Sequence, residues 1–235
     1  MAEDRFIKDD RINEVEGVVA DLRTNWSNLC APSVTDNKDP SGRNPAVDNF
    51  TFRKNQLIRM RDWIKANEQL AFDAHASDLG LSEFDAFGSA IVHMCNVISK
   101  VIAEMDTWVK PQAFESNFLN SGTSGYCVTQ GRGVYCIFGS WNVPMLVTLS
   151  PLAYAIAAGN CVLVKPSELS PANSNYMDKL IRECLDSRFY QCLEGAIHTG
   201  IKLNSTPFDG FVFTGGTWVG KIIGGTCGKN GTHTI

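Results

Sequence analysis

The stretch from 134 to 165, VYCIFGSWNVPMLVTLSPLAYAIAAGNCVLVK, decides the architecture of this chain. Val134 to Phe138 is a short apolar run with the look of a buried strand, and Leu146 to Ala158 is long enough for a helix. Gly159-Asn160 is a turn signal, and Cys161 to Val164 is a second strand-length run. Val143 to Val164 is also nearly long enough to cross a bilayer, but Pro144, Ser150, Pro151, Gly159 and Asn160 interrupt it. The reading is therefore strand, helix, strand.

Working outward toward the C-terminus, the alternation continues. A helix is expected near Ala172 to Leu185, a short strand near Gln191 to Leu193, a strand at Gly210 to Phe213 and a helix from Trp218 on. A βαβαβα series implies an α/β fold, with a parallel sheet covered by helices on both faces. Tyr126 and Val128 read as a further strand before the Gln130-Gly131-Arg132-Gly133 turn.

Toward the N-terminus the period changes from two to 3.6. Ile12, Val15, Val19, Leu22, Trp26 and Leu29 recur in steps of three and four, the spacing of one helical face. A second helix is expected from about Phe52 to Ser77, with Leu57, Met60, Ile64 and Ala71 inward and Gly80 as a left-handed cap. A third starts at Ser82, which can cap it with Asp85 three residues on. Its apolar stripe is Phe84, Phe87, Ile91, Met94, Ile98, Ile102 and Met105, and Lys110-Pro111 stops it. Residues 30–49, rich in Pro, Asp, Asn, Ser and Gly, read as a loop insertion. These signals divide the chain into a helical segment, 1–110, and a sheet region, 111–235.

The 235 residues are 44% hydrophobic and 20% charged, an ordinary globular composition. A formal net charge of -4 supplies no basic field for a phosphate backbone, so no nucleic-acid partner is expected. The eight cysteines, Cys30, Cys95, Cys127, Cys136, Cys161, Cys184, Cys192 and Cys227, form no CxxC pair and no zinc spacing. They read as reduced thiols of a cytoplasmic protein. MAEDRFIKDD has no apolar core for a secretory signal. His75, His93, His198 and His233 show no ligand spacing and read as surface or helix residues, so no metal is expected.

In an open parallel sheet, ligands sit beyond the carboxyl ends of the strands. Three segments would lie there: 139–144 (GSWNVP), 165–168 (KPSE) and 214–220 (TGGTWVG). Lys165 and Glu168 can hold ribose hydroxyls, while Gly215 and Gly216 at a helix start let backbone N–H groups approach a pyrophosphate. The competing reading of 165–168 is a helix start in which Ser167 or Ser170 caps and Glu168 complements the dipole. Gly215 to Lys221 also fits a G-x-x-x-x-G-K phosphate loop, but Ile222 stands where a magnesium-holding hydroxyl belongs. The fingerprint G-x-G-x-x-G is absent, and a plain strand-to-helix turn remains open.

The order and spacing of 139–144 (GSWNVP), 155–160 (AIAAGN), 165–170 (KPSELS) and 213–221 (FTGGTWVGK) resemble the aldehyde dehydrogenase superfamily, nearest its class 3, fatty-aldehyde-type branch. Earlier segments, 52–57 (FRKNQL) and 77–80 (SDLG), agree. The resemblance implies N-terminal helices followed by a Rossmann-like parallel sheet, and NAD-dependent oxidation of an aldehyde to a carboxylic acid, with NADP as the alternative cofactor. It makes Asn142 the side-chain amide that stabilises an oxyanion. It sets Ser140 and Trp141 beside the cofactor, Lys165, Ser167 and Glu168 at the adenosine ribose, and Gly215, Gly216, Thr217, Val219 and Gly220 along the pyrophosphate.

Three departures stand out. Ser140 replaces a usual proline, Gly216 a usual polar residue, and Trp218 a small or acidic one; the lost hydroxyl donor and the added bulk near the pyrophosphate predict weakened cofactor binding. Residues 228–235 (GKNGTHTI) align with the run leading to the family's catalytic-region glutamate, and the nucleophilic cysteine comes later still in the family. The expectation is a chain lacking both, inactive by itself: a non-catalytic nucleotide-binding form, or a dominant-negative partner of full-length subunits. A phosphate-loop hydrolase is the remaining alternative. The resemblance also implies a homodimer for the complete enzyme; the chain shows no membrane segment, although some relatives attach through a C-terminal tail.

Overall fold

The computed structural model describes residues 11–30, 50–114, 122–127 and 129–235. Of the loop insertion expected over 30–49, residues 31–49 lie outside the described residues, as do 1–10 and the strand position Val128; Cys30 instead ends a helix.

The chain begins with a 3-10 turn (Ile12–Glu14) running into α1 (Val15–Cys30), followed by α2 (Phe50–Ala66) and α3 (Glu68–Leu79). The single helix expected over 52–77 is thus two, broken at Asn67, whose side-chain amide donates to the Trp63 carbonyl at 2.9 Å. Asparagine competes in this way for backbone groups and ends helices without Pro or Gly. Leu57, Met60, Ile64 and Ala71 are nonetheless all fully buried. Gly80 closes α3 in the left-handed region at φ 66°.

Next come α4 (Glu83–Ala86), a π-helical turn (Phe87–Val92) and α5 (His93–Trp108) as one rod. Ser82 caps it as expected, accepting from the Asp85 backbone N–H at 3.2 Å. Met94, Ile98, Val101 and Met105 are fully buried, but Phe84 is 85% and Phe87 43% exposed, against the expected stripe. The π turn inserts extra chain into the 3.6 period, which rotates the residues before it off the core face. The rod is long and apolar enough to cross a membrane by length and composition; here its buried side packs on α2 and on the helix after the first parallel strand.

β1 (Gln112–Phe114) and β2 (Gly125–Cys127) form a separate antiparallel pair, so the strand at Tyr126 joins this arm and not the main sheet. The main sheet is built from β3 (Val134–Phe138), α6 (Pro144–Ala157), β4 (Cys161–Lys165), α7 (Pro171–Cys184), β5 (Tyr190–Cys192), α8 (Ile197–Ser205), β6 (Gly210–Phe213), α9 (Thr217–Asn230) and β7 (His233–Thr234). Sequence reasoning misses β1, α8 and β7. All five strands are parallel in the order β5-β4-β3-β6-β7. Every residue of β3 and β4 is buried, as both-face coverage demands.

This order carries the chain outward through β4 and β5 and then back across to β6, on the other side of β3. Right-handed crossovers then put α6 and α7 on one face and α8 and α9 on the other. α2, α3 and α5 pack against the first group, and α1 packs on β3, β4 and α8. One continuous core runs from Val15 through the sheet to Cys227. Arg53 of α2 donates to the Ala157 carbonyl of α6, and Gln56 accepts from the Asp186 backbone N–H at 2.9 Å. These buried polar ties fix the angle at which the helices meet the sheet.

Candidate functional site

Phe138, Lys165 and Phe213 are register partners across the last rung of β4, β3 and β6. The three following loops therefore leave the sheet at one level, where the strand order reverses between β3 and β6. That reversal opens a crevice because the neighbouring connections diverge to opposite faces. A cleft of about 810 Å³ lies there, within the range of small-ligand sites. The structure brings Ser140, Trp141 and Asn142 to one wall, Lys165, Ser167 and Glu168 to the floor, and Gly215, Gly216 and Val219 to a second wall. Thr217 and Gly220 sit on the first turn of α9 but do not line the cleft.

The floor is a charged pair on an aromatic base. The Lys165 ammonium is 2.9 Å from the Glu168 carboxylate, with side chains 7% and 26% exposed. It also donates to the Pro166 carbonyl at 3.2 Å and lies 5.6 Å from the centre of the Phe138 ring. Desolvation forces the ammonium to keep its partners, so its position is fixed while the carboxylate keeps an open side.

Glu168 is thus turned toward Lys165 rather than serving the α7 dipole. Ser167 accepts from the Leu169 backbone N–H at 3.3 Å and shapes the turn. Ser170, the N-cap of α7, makes no side-chain cap bond; Asp78 of α3 performs that task, accepting from the backbone N–H groups of Ala172 at 3.2 Å and Asn173 at 2.8 Å. Neither serine side chain makes the capping bond that the competing reading of 165–168 requires.

On the first wall the Ser140 hydroxyl donates to Asn142 Oδ1 at 2.5 Å, which turns the amide so that its NH2 is the free end. The serine in place of proline thereby orients the asparagine. On the second wall, α9 begins at Gly216 with no side-chain cap. A Cβ on Gly215 would stand 2.6 Å from Phe213 Cζ, while one on Gly216 would meet nothing within 4 Å. Gly215 packs directly on that ring, whereas Gly216 stands in open space, and the first turn of α9 carries no side-chain cap.

Trp218 and Ile222 of α9, both singled out in the sequence, line the cleft as well, and Ile197, Gly200, Ile201 and Asn204 of α8, which were not, complete that side. Their signal was weak because Ile197 and Ile201 face the cleft, leaving Thr199 and Leu203 as the buried residues of a nine-residue helix. No cysteine or histidine lines the cleft among the described residues. Burial pushes the Cys136 and Cys192 thiols well up and Cys184 up to about 12, so these cysteines are packed thiols and not thiolates.

A sequence model of the aldehyde dehydrogenase family matches residues 48–235. Aldehyde dehydrogenase family 3 member A2 of Pongo abelii is 34% identical over 172 residues, covering 73% of this chain and 36% of that protein. The dimeric NADP-preferring aldehyde dehydrogenase of Canis lupus familiaris is also 34% identical, over 73% of this chain and 38% of its own. The substrate-bound state of AldH from Staphylococcus aureus matches with a TM-score of 0.84 and 27% identity, over 94% of this chain and 44% of that one. The chain spans less than half the length of these relatives. The matched residues take in the cleft, its floor and both of its walls, and the chain belongs to the aldehyde dehydrogenase family.

Proposed function

We propose that the cleft binds a nicotinamide adenine dinucleotide, and that the chain is the cofactor-holding part of an enzyme that oxidises an aldehyde to a carboxylic acid. The observation that carries this reading is that the Lys165–Glu168 pair and the uncapped start of α9 border one cleft. A ribose offers hydroxyls that can accept from an ammonium and donate to a carboxylate. A pyrophosphate offers charge to a helix N-terminus. The donor and acceptor set fits both.

In this mechanism Lys165 donates to one ribose hydroxyl and Glu168 accepts from another. Gly215 and Gly216 let backbone N–H groups meet the phosphates at close range. The Asn142 amide donates to the aldehyde oxygen as negative charge builds there during nucleophilic attack, an interaction stronger in the transition state than in the ground state. A nicotinamide cofactor held by these residues would supply the acceptor for the hydride of the substrate carbon. By the resemblance the family's attacking thiolate is none of the eight cysteines, and no described cysteine reaches the cleft. The chain alone is therefore expected to bind without turnover, whether it acts as a nucleotide-binding form or as a partner of longer subunits.

Glu168 favours NAD over NADP, because a 2′-phosphate would face its carboxylate. Against nucleotide hydrolysis, Ile222 presents an apolar side chain to the cleft where magnesium would need an oxygen. The buried reduced cysteines support a cytoplasmic setting, and the dimer named for the dog relative supports a homodimer for the longer polypeptide. Calorimetric titration of the chain with NAD, NADP and ATP-magnesium tests the reading. Saturable NAD binding, lost in Lys165→Ala, is expected; no NAD binding, or tighter binding of ATP-magnesium, would overturn it.

A further inference from the structure

Trp218 is the second residue of α9 and 74% exposed, yet it lines the cleft. An indole carries a large apolar face, and leaving it in water forgoes a stabilisation of the folded chain that grows with the area exposed. One turn further along the same helix, Ile222 is 45% exposed and also lines the cleft. α8 presents a matching ridge, with Ile197 at 68% and Ile201 at 61%, four residues apart. The two helices are tied by the Asn204 amide, which donates to Thr226 Oγ1 at 3.1 Å. The α8 and α9 side of the cleft is thus an apolar slot with one aromatic face. Lys165 and Glu168 lie at its floor, and Gly200 of α8 backs onto Lys165, where an added Cβ would be 3.7 Å from Lys165 Cε.

We propose that Trp218 is a cofactor-contacting residue whose indole stacks on the purine base of the dinucleotide. The inference rests on the binding reading above. A dinucleotide held by a ribose at Lys165–Glu168 and by phosphates at Gly215–Gly216 carries a flat, apolar-faced base beside the slot that these groups border. Gly216, which contributes no hydroxyl, stands two residues before Trp218. Stacking here replaces a polar contact with an aromatic one.

The test is calorimetric titration of the chain and of Trp218→Ala and Trp218→Phe with NAD, AMP and nicotinamide mononucleotide, with circular dichroism to confirm the fold. Because the side chain is mostly exposed, both variants are expected to fold. Trp218→Ala is expected to raise the Kd for NAD and for AMP about tenfold, and Trp218→Phe less, as a smaller stacking face predicts. Binding of nicotinamide mononucleotide should be unchanged. Equal NAD affinity in the chain and Trp218→Ala, with Lys165→Ala still weakened, would overturn the stacking role and leave the binding reading intact. A loss confined to nicotinamide mononucleotide would likewise overturn it. A chain that binds no NAD at all would remove both.

Discussion

Asp78, on the last turn of α3, accepts from both the backbone N–H and the side-chain amide of Asn173, at 2.8 and 2.9 Å. It caps α7 from 95 residues away in the chain. The capped helix starts directly after the Lys165-to-Ser170 turn, so this contact holds the floor of the cleft to the helical layer.

Replacing Asp78 by alanine leaves the buried Asn173 amide and the Ala172 N–H without that acceptor. A loss of about 1–3 kcal/mol in unfolding free energy is expected, from a lost cap and an unsatisfied buried donor together. Urea denaturation measures it. A midpoint within error of the parent's would mean that Ser170 or solvent takes over the cap.

The segment 77–80 (SDLG) was visible in the sequence as part of a family pattern, but its work was not, because a cap supplied from another element leaves no local signal. The same limit hides α8, whose isoleucines face the cleft instead of the core, and β7, which is two residues long and adjoins Gly231. In contrast β3, β4 and β6 were legible as apolar runs, since strands inside a covered sheet leave few polar positions, Lys165 at the end of β4 being one. Lys165, Glu168 and Gly215 were legible because they follow those strands. That Gly215 lies over the Phe213 ring, and that Ser140 aims Asn142, needed coordinates.

Gly215 and Gly216 are expected to respond oppositely to substitution. Gly215→Ala drives a Cβ to within 2.6 Å of the Phe213 ring, so the ring must move and cleft packing loosens, at a cost of about 1–3 kcal/mol. Gly216→Ser enters open space, adds an N-cap hydroxyl, and should stabilise by a few tenths of a kcal/mol, roughly. The new hydroxyl should also tighten NAD binding a few-fold, by about one neutral hydrogen bond. Thermal melts and calorimetry on the pair decide this; similar behaviour of the two variants would contradict the geometry.

Glu168→Gln separates charge from shape. The glutamine can still meet a ribose hydroxyl, but it neither repels a 2′-phosphate nor neutralises Lys165. NADP affinity is expected to rise about tenfold, and NAD affinity to fall a few-fold, since hydrogen bonds to charged groups are roughly twice as strong as neutral ones. A ratio of NADP to NAD affinity that stays constant would place the 2′ position away from Glu168.

His75 gives the fold a pH dependence of known sign. Its ring is buried in α3, with Nδ1 2.8 Å from the Ala71 carbonyl oxygen, and burial lowers its pKa below the usual histidine value of 6.5. The unfolded chain therefore binds this proton more readily than the folded one. Stability from His75 is complete above about pH 6.5 and falls as pH drops from there through the folded pKa. Asp186, whose pKa is lowered by the hydrogen bond from the Arg188 side chain, has the same sign but acts only below the carboxylate range near 4. Urea titrations between pH 7.5 and 5 should accordingly show a falling midpoint in the parent chain and a flatter profile in His75→Gln. An unchanged slope in the variant would assign the acid sensitivity to another group.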